Sequence, residues 1–238
     1  MILEDVIMLA RTVPEPSKRY GVKVCSVVYS PELKGLIRIY PLLPNERIRS
    51  RHTLRVELER NRMDSRRESF KKINYSLTGN VVQKEGLESI FDSLVSEDIS
   101  ELNDQRKSLG IIKTNLNDCR FEMKSKKDVE DPRQLCLFQS PDLNTQKLMT
   151  GQDYKHIPYV VVPGQKQQKN LQIREWGIYE LIRKNDGVIS DKYLTGIFKG
   201  EDVYFIVGNM NGCRSVWIVC SFYTFPGVRQ QNMFSMAA

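Results

Sequence analysis

The sequence has few of the residues that staple or metallate a small protein. It holds two histidines, His52 and His156, and five cysteines, Cys25, Cys119, Cys136, Cys213 and Cys220, with no CxxC pair. That excludes the common zinc modules, and an odd count at wide spacing argues against a disulfide framework. The cysteines read as small core hydrophobes in a reducing compartment. Long apolar runs are also missing. Val203 to Val207 and Val216 to Cys220 fall far short of the ~20 residues a membrane span needs. Acidic Glu4 and Asp5 stand where a secretory signal would be basic, so a cytoplasmic protein is expected. There is no P-loop and no GxGxxG fingerprint, and no motif asks for a cofactor or metal.

What is present is a chain of 238 residues, 40% hydrophobic and 27% charged, which is enough for one large domain or two small ones with a real core. The formal net charge is +7, and it is unevenly placed. Between Arg47 and Lys72 lie ten cations, eight of them arginine, against four acids. Between Glu85 and Asp104 lie seven acids and no Lys or Arg.

An arginine-rich segment is the expected footprint of phosphate binding, because the planar guanidinium grips phosphate with two donors. Arg47, Arg49 and Arg51 alternate with Ile48, Ser50 and His52. In an extended chain they would share one face, as a comb for successive phosphates. Arg55, Arg60, Arg62, Arg66, Arg67, Lys71 and Lys72 extend the candidate nucleic-acid surface. A polar loop with Lys18, Arg19 and Tyr20 would add a stacking ring. The competing reading is that these cations answer the acidic segment across the fold, or solvate a face.

Apolar patterning gives the elements. Val6 to Leu9, Val22 to Tyr29 and Leu36 to Tyr40 read as strands, with Arg38 exposed, and Pro41 and Pro44 ending the third. Leu54, Val56 and Leu58 alternate with charges as a further half-buried strand. Leu87, Ile90, Phe91, Leu94, Val95, Ile99 and Leu102 form one stripe at helical period, predicting a single amphipathic helix over 85–104 whose apolar face is core. Ile157 to Val162 reads as a strand, Leu171 to Lys184 as a helix, and Val203 to Val207 with Val216 to Tyr223 as a closing hairpin. No internal repeat is visible. The expected fold is α+β: a small, mostly antiparallel sheet, or an OB-like, partly open barrel, with packed helices. The expected division is a β-rich part over 1–112, an irregular connection or insertion over 113–170, and a helix plus hairpin over 171–238, all of which would also fit one domain.

Asp64 and Glu68, four apart, would share a face if their segment is helical. Two such carboxylates beside arginines would activate water or hold Mg²⁺. Equally, they would form surface pairs with Arg67, Lys71 or Lys72.

Several segments resemble a family of uncharacterised bacterial proteins: Thr12-x-Pro14-x-Pro16-Ser17-x-Arg19-Tyr20-Gly21-x-x-Val24-Cys25, Ile37-Arg38-Ile39-Tyr40-Pro41, Asp64-x-Arg66-x-Glu68-Ser69-Phe70, Ser108-Leu109-Gly110-Ile111-Ile112-Lys113 and Phe205-Ile206-Val207-Gly208-Asn209. The opening pattern also resembles proteins with dual OB-type barrels, which would imply small β-barrels of a kind that often bind single strands. The chain departs from the family at Glu175-Trp176-Gly177 with Glu180, where a second acidic residue and an upstream histidine are expected. Proteins of this look would suit phage defence or mobile elements.

Three functions follow as expectations. The first is a nucleic-acid binder, with DNA ahead of RNA and no membrane partner. The second is a DNA-acting enzyme, a glycosylase on modified bases or a nuclease, using Asp64 and Glu68. The third is an adaptor whose acidic helix meets a basic protein.

Overall fold

The computed structural model describes residues 1–17, 21–46, 48–125, 156–168, 170–185 and 202–225. The first strands are β1 (Ile2–Arg11), β2 (Glu15–Ser17), β3 (Gly21–Ser30), β4 (Gly35–Leu42), β5 (His52–Arg60) and β6 (Ser69–Val81). Two short helices follow, α1 (Lys84–Asp92) and α2 (Ile99–Asp104), with the two-residue β7 (Val95–Ser96) between them. The second half holds β8 (Leu109–Asn115), β9 (Arg120–Ser125), β10 (His156–Val161), β11 (Asn170–Ile173), α3 (Trp176–Lys184), β12 (Asp202–Asn209) and β13 (Trp217–Phe225).

The first sheet runs β1-β5-β6-β4-β3-β2, and an added β1–β3 pairing closes five of its strands into a ring, with β2 outside it. Strand β1 closes it by serving two neighbours. Ile2 to Ile7 pair with β5, and Ile7 to Arg11 pair with β3. Register shifts between Leu3 and Val6 and between Met8 and Ala10 bend the strand enough to do so. The second sheet runs β7-β8-β12-β13-β11-β10-β9.

Counted from the first strand of each half, β1-β5-β6-β4-β3-β2 and β8-β12-β13-β11-β10-β9 are the same order. The parallel pair occupies the same place in both, β4 with β6 and β11 with β13. The chain thus carries a repeat of topology that its sequence does not display. These pairs make both sheets mixed, and β7 with β8 adds a second parallel pair to the second sheet, so the expectation of a mostly antiparallel sheet holds only in part. The fold is mostly β with few helices, and one ring is partly closed.

Side-chain alternation explains the core. Leu3, Val6 and Met8 of β1 point into the first ring with Val24, Ile39 and Leu54. Ile7 and Leu9 point the other way, against Ile111, Tyr204, Ile206 and Ile218 of the second sheet. On β12, Val203, Phe205 and Val207 face the second sheet's own core, with Trp217 and Val219. Strand β12 is therefore covered on both faces, which is why Val203 to Val207 is an unbroken apolar run. Helix α1 caps this interface with Phe91, whose ring meets Tyr204, Tyr223 and Phe225 at centroid distances of 5.7, 5.1 and 5.9 Å.

Four sequence expectations are corrected here. The predicted helix over 85–104 is two helices. Ser93 caps α1, Val95 and Ser96 leave to pair with Ile111 and Ile112, and the Asp98 carboxylate accepts from the Glu101 N–H to begin α2. The apolar stripe survives the break because Leu87, Phe91, Ile99 and Leu102 all remain buried. Leu171 to Ile173 belong to β11, so the later helix begins at Trp176, where the Glu175 carboxylate accepts from the Ile178 N–H at 2.7 Å. Arg38 is not exposed but 3% accessible, sealed between the two sheets. Strand β4 also continues through Pro41 to Leu42.

Candidate nucleic-acid interface

The segment from Asn61 to Glu68 is turn and coil, not helix, so Asp64 and Glu68 do not share a helical face. Each carboxylate is engaged. Asp64 is buried and accepts from Arg66 Nε at 2.8 Å and from Arg66 Nη2 at 2.5 Å. Burial alone would raise its pKa. The Arg66 hydrogen bonds and charge, with a bond from Ser69, hold it down to about 2. Glu68 accepts from the Ser108 N–H at 3.0 Å and from the Ser108 hydroxyl at 2.8 Å. Glu68 therefore fastens the loop before β8 to the first sheet.

Arg38 reaches the same loop from β4. Nη1 donates to Ser69 Oγ and Ser108 Oγ, both at 3.1 Å, and Nη2 donates to Ser108 O at 2.9 Å. Burial lowers its pKa, and so does the neighbouring Arg66 guanidinium, against weaker help from Cys25, Cys220 and Asp64. Gly208 accommodates this fork, since a Cβ there would stand 3.0 Å from Arg38 Nη2. Cys220 lies beside it, its thiol pushed up to about 12 by burial.

The arginine segment is dispersed. Arg49 and Arg51 lie in coil and turn before β5, and Arg51 has φ +69°, so the extended comb is not formed there. Arg55 pairs with Glu4 at 2.7 Å, Lys71 with Glu59 and Lys72 with Glu46. Arg60 donates to the Arg66 carbonyl at 2.9 Å and the Ser69 carbonyl at 3.1 Å, holding the 66–69 turn. Arg62 and Arg67 are exposed. Internal pairing thus uses Arg55, Arg66, Lys71 and Lys72, with acids of the first sheet and its loops rather than with the acidic 85–104 segment. Lys18, Arg19, Tyr20 and Arg47 lie outside the described residues.

What the fold assembles instead is a cleft between the two halves. It encloses about 370 Å³ and is lined by Arg66 and Arg67 from the β5–β6 loop, Arg106 and Lys107 from the α2–β8 loop, and Arg214 from the β12–β13 loop. Ser65, Asn103, Ser108 and Asn209 complete the wall, and among the described residues no carboxylate lines it. Arg66 is fixed by Asp64 and by a 2.6 Å bond from Nη1 to the Asn209 carbonyl. Arg214 donates to Ser65 Oγ. Arg67, Arg106, Lys107 and Arg214 are all exposed.

Arg106 carries a backbone signature. Helix α2 ends with Arg106 N–H on Asn103 O and Lys107 N–H on Leu102 O, both at 2.9 Å, and Arg106 sits at φ +54°. That is a helix end where glycine is the usual residue. A left-handed non-glycine residue costs about 1–2 kcal/mol.

Sequence reasoning singled out Arg66 and Arg67 but missed Arg106, Lys107 and Arg214. The adjacent pair Arg106-Lys107 just past a helix end was the one available signal. Among the described residues, no group of three His, Cys, Asp or Glu is placed to hold a metal, and no helix is long and apolar enough to cross a membrane.

The family model of a domain of unknown function, DUF8758, matches residues 3–89, which span the first sheet and part of α1. Among curated proteins, none matches the chain.

Proposed function

We propose that this protein binds nucleic acid, with DNA the expected polymer, and that phosphates are gripped in the cleft between its two halves. The observation that carries this reading is the cleft's charge: among the described residues, five cations and no carboxylate line its wall. Arginine forks and a lysine drawn from three loops surround a space open to an extended backbone. The topology supports it too. A five-strand ring of β1, β5, β6, β4 and β3 with one parallel pair resembles the Greek-key barrel of OB proteins, and the second sheet repeats its order. Such barrels commonly bind single strands.

Arg62 is exposed on the same β5–β6 loop as Arg66 and Arg67, whereas Arg49 and Arg51 precede β5 at its other end; they and the Lys18–Tyr20 loop stay in the proposal on the sequence alone. A DNA-acting enzyme built on Asp64 and Glu68 has less support, because both carboxylates are committed to Arg66 and Ser108.

The test is binding of a labelled single-stranded DNA across a salt series. Contact with about five phosphates gives a slope of log K against log salt near −3.5. A flat response, or no binding at low salt, would overturn the reading.

A further inference from the structure

On the other side of Arg66 and Asn209, which line both, lies a second cavity of about 370 Å³. That volume lies within the about 300–1,000 Å³ of small-molecule pockets. Its wall differs in kind from the cationic cleft. Tyr40, Met63, Met210 and Ile218 give it apolar and aromatic surface, and Asn61 and Asp64 give it polar edges. The Lys23 ammonium sits 4.2 Å from the Tyr40 ring centroid.

The chemistry of this pocket sorts among ligands. Lys23, Arg38 and Arg66 line it too, but Arg66 is held by Asp64, Arg38 by Ser69 and Ser108, and Lys23 lies over Tyr40, while Glu15 and Asp64 add two carboxylates that disfavour a phosphate. An aliphatic ligand would leave the edges of Asn61 and Asp64 without use. A flat heteroaromatic ring with donors and acceptors at its rim matches both the apolar wall and the polar edge. Arg66 is held as a partition, with Nε and Nη2 on Asp64 and Nη1 on the Asn209 carbonyl. In a nucleotide, base and phosphate are separated only by the sugar. Here the aromatic pocket and the cationic cleft are separated only by a side chain and the end of β12.

We infer that the Tyr40–Met63 pocket receives one unstacked base of a single strand whose phosphates lie in the cationic cleft. The inference rests on the reading of the cleft as a nucleic-acid site. A base leaves its stack at a cost, which aromatic and apolar contact in the pocket offsets. The prediction is a single privileged position along the strand. Sequence-tolerant binding along a groove would spread the effect over all positions instead.

The experiment uses the full chain and a set of short single-stranded DNAs, each with a terminal fluorophore. In one series a single abasic site is moved along the strand. In the other a single 2-aminopurine is moved, whose emission reports unstacking. Expected is salt-dependent binding in which one abasic position costs about five- to a hundredfold in affinity while the rest stay within about twofold. The 2-aminopurine signal should change most at that same position. Tyr40→Leu should bring the abasic penalty close to one. Should that variant fail to fold, judged by its thermal transition, the two scans on the unaltered protein still decide. Salt-dependent binding with a flat abasic scan and unchanged 2-aminopurine emission would overturn the pocket while leaving the cleft. Absence of binding would overturn both.

Discussion

Arg38 and Ser108 join the two halves through a buried fork. Arg38 on β4 donates to the Ser108 hydroxyl at 3.1 Å and to the Ser108 carbonyl at 2.9 Å, although 70 residues separate them. The same guanidinium is crowded by Arg66, so its charge is costly where it sits. The hydrogen bonds offset that cost, and without the Arg38 donor the Ser108 carbonyl keeps only the Asn209 N–H, at 3.0 Å. Arg38→Met should destabilise by about 1–3 kcal/mol. Ser108→Ala should cost less, and the double variant should show a coupling of about 1 kcal/mol. Urea unfolding of the four proteins measures this. Strict additivity would mean that the fork contributes nothing as a pair.

Asp64 makes stability depend on acid. Its pKa in the folded protein, about 2, lies below the ordinary value of 3.8. A depressed carboxylate contributes stability that is complete above its unfolded pKa and disappears as pH falls through the folded one. The contribution is about 2 kcal/mol at neutral pH and is lost between about pH 4 and pH 2. Asp64→Asn should therefore unfold at lower urea than the parent at pH 7, with the gap narrowing across that window. An unchanging gap at both ends would show that the Asp64–Arg66 pair does not act through its charge.

Gly208 tests the same junction by volume. A Cβ at this position would lie 3.0 Å from Arg38 Nη2 and 3.2 Å from both Cys220 Sγ and Leu109 Cδ2. The fork has no slack to retreat, so Gly208→Ala should cost about 1–3 kcal/mol. A Cβ at Gly212, in the β12–β13 loop, meets nothing within 4 Å. Gly212→Ala should stay within about 0.5 kcal/mol. Equal midpoints for the two variants in urea would remove the packing argument at Gly208.

Strands were legible where alternation or apolar runs are local, as in Leu54, Val56 and Leu58 on β5 or the run on β12. Their order was not legible, because β4 with β6 and β11 with β13 are non-local parallel pairs that leave no periodic mark. Periodicity also could not divide the helix over 85–104, since α1 and α2 bury residues on one continuing stripe. Arg38 looked exposed because polarity was the only evidence at that position, and its acceptors come from Ser69, Ser108 and Asn209, 31, 70 and 171 residues away. The cleft failed to appear for a related reason. Arg66 and Arg67 stood out in a dense basic segment, whereas Arg106, Lys107 and Arg214 are scattered and meet them only after both sheets have folded.

Arg106 offers the sharpest separation of stability from function. Its φ of +54° ends α2 in a conformation that glycine adopts without penalty. Were the side chain idle, glycine would serve better there. Arg106→Gly should therefore raise stability by up to about 1 kcal/mol, since relief of strain is partly offset by the added freedom of the unfolded chain. On the proposed reading it should also weaken single-stranded DNA binding and reduce the steepness of the salt dependence by about 0.7, the share of one phosphate contact. Lys107→Ala, at an exposed position, should weaken binding to a similar extent with little change in stability. Thermal or urea unfolding gives one axis and a salt titration gives the other. A variant at Arg106 that gains stability and binds as the parent does would remove that residue from the interface. A loss of stability would show instead that its side chain serves the fold.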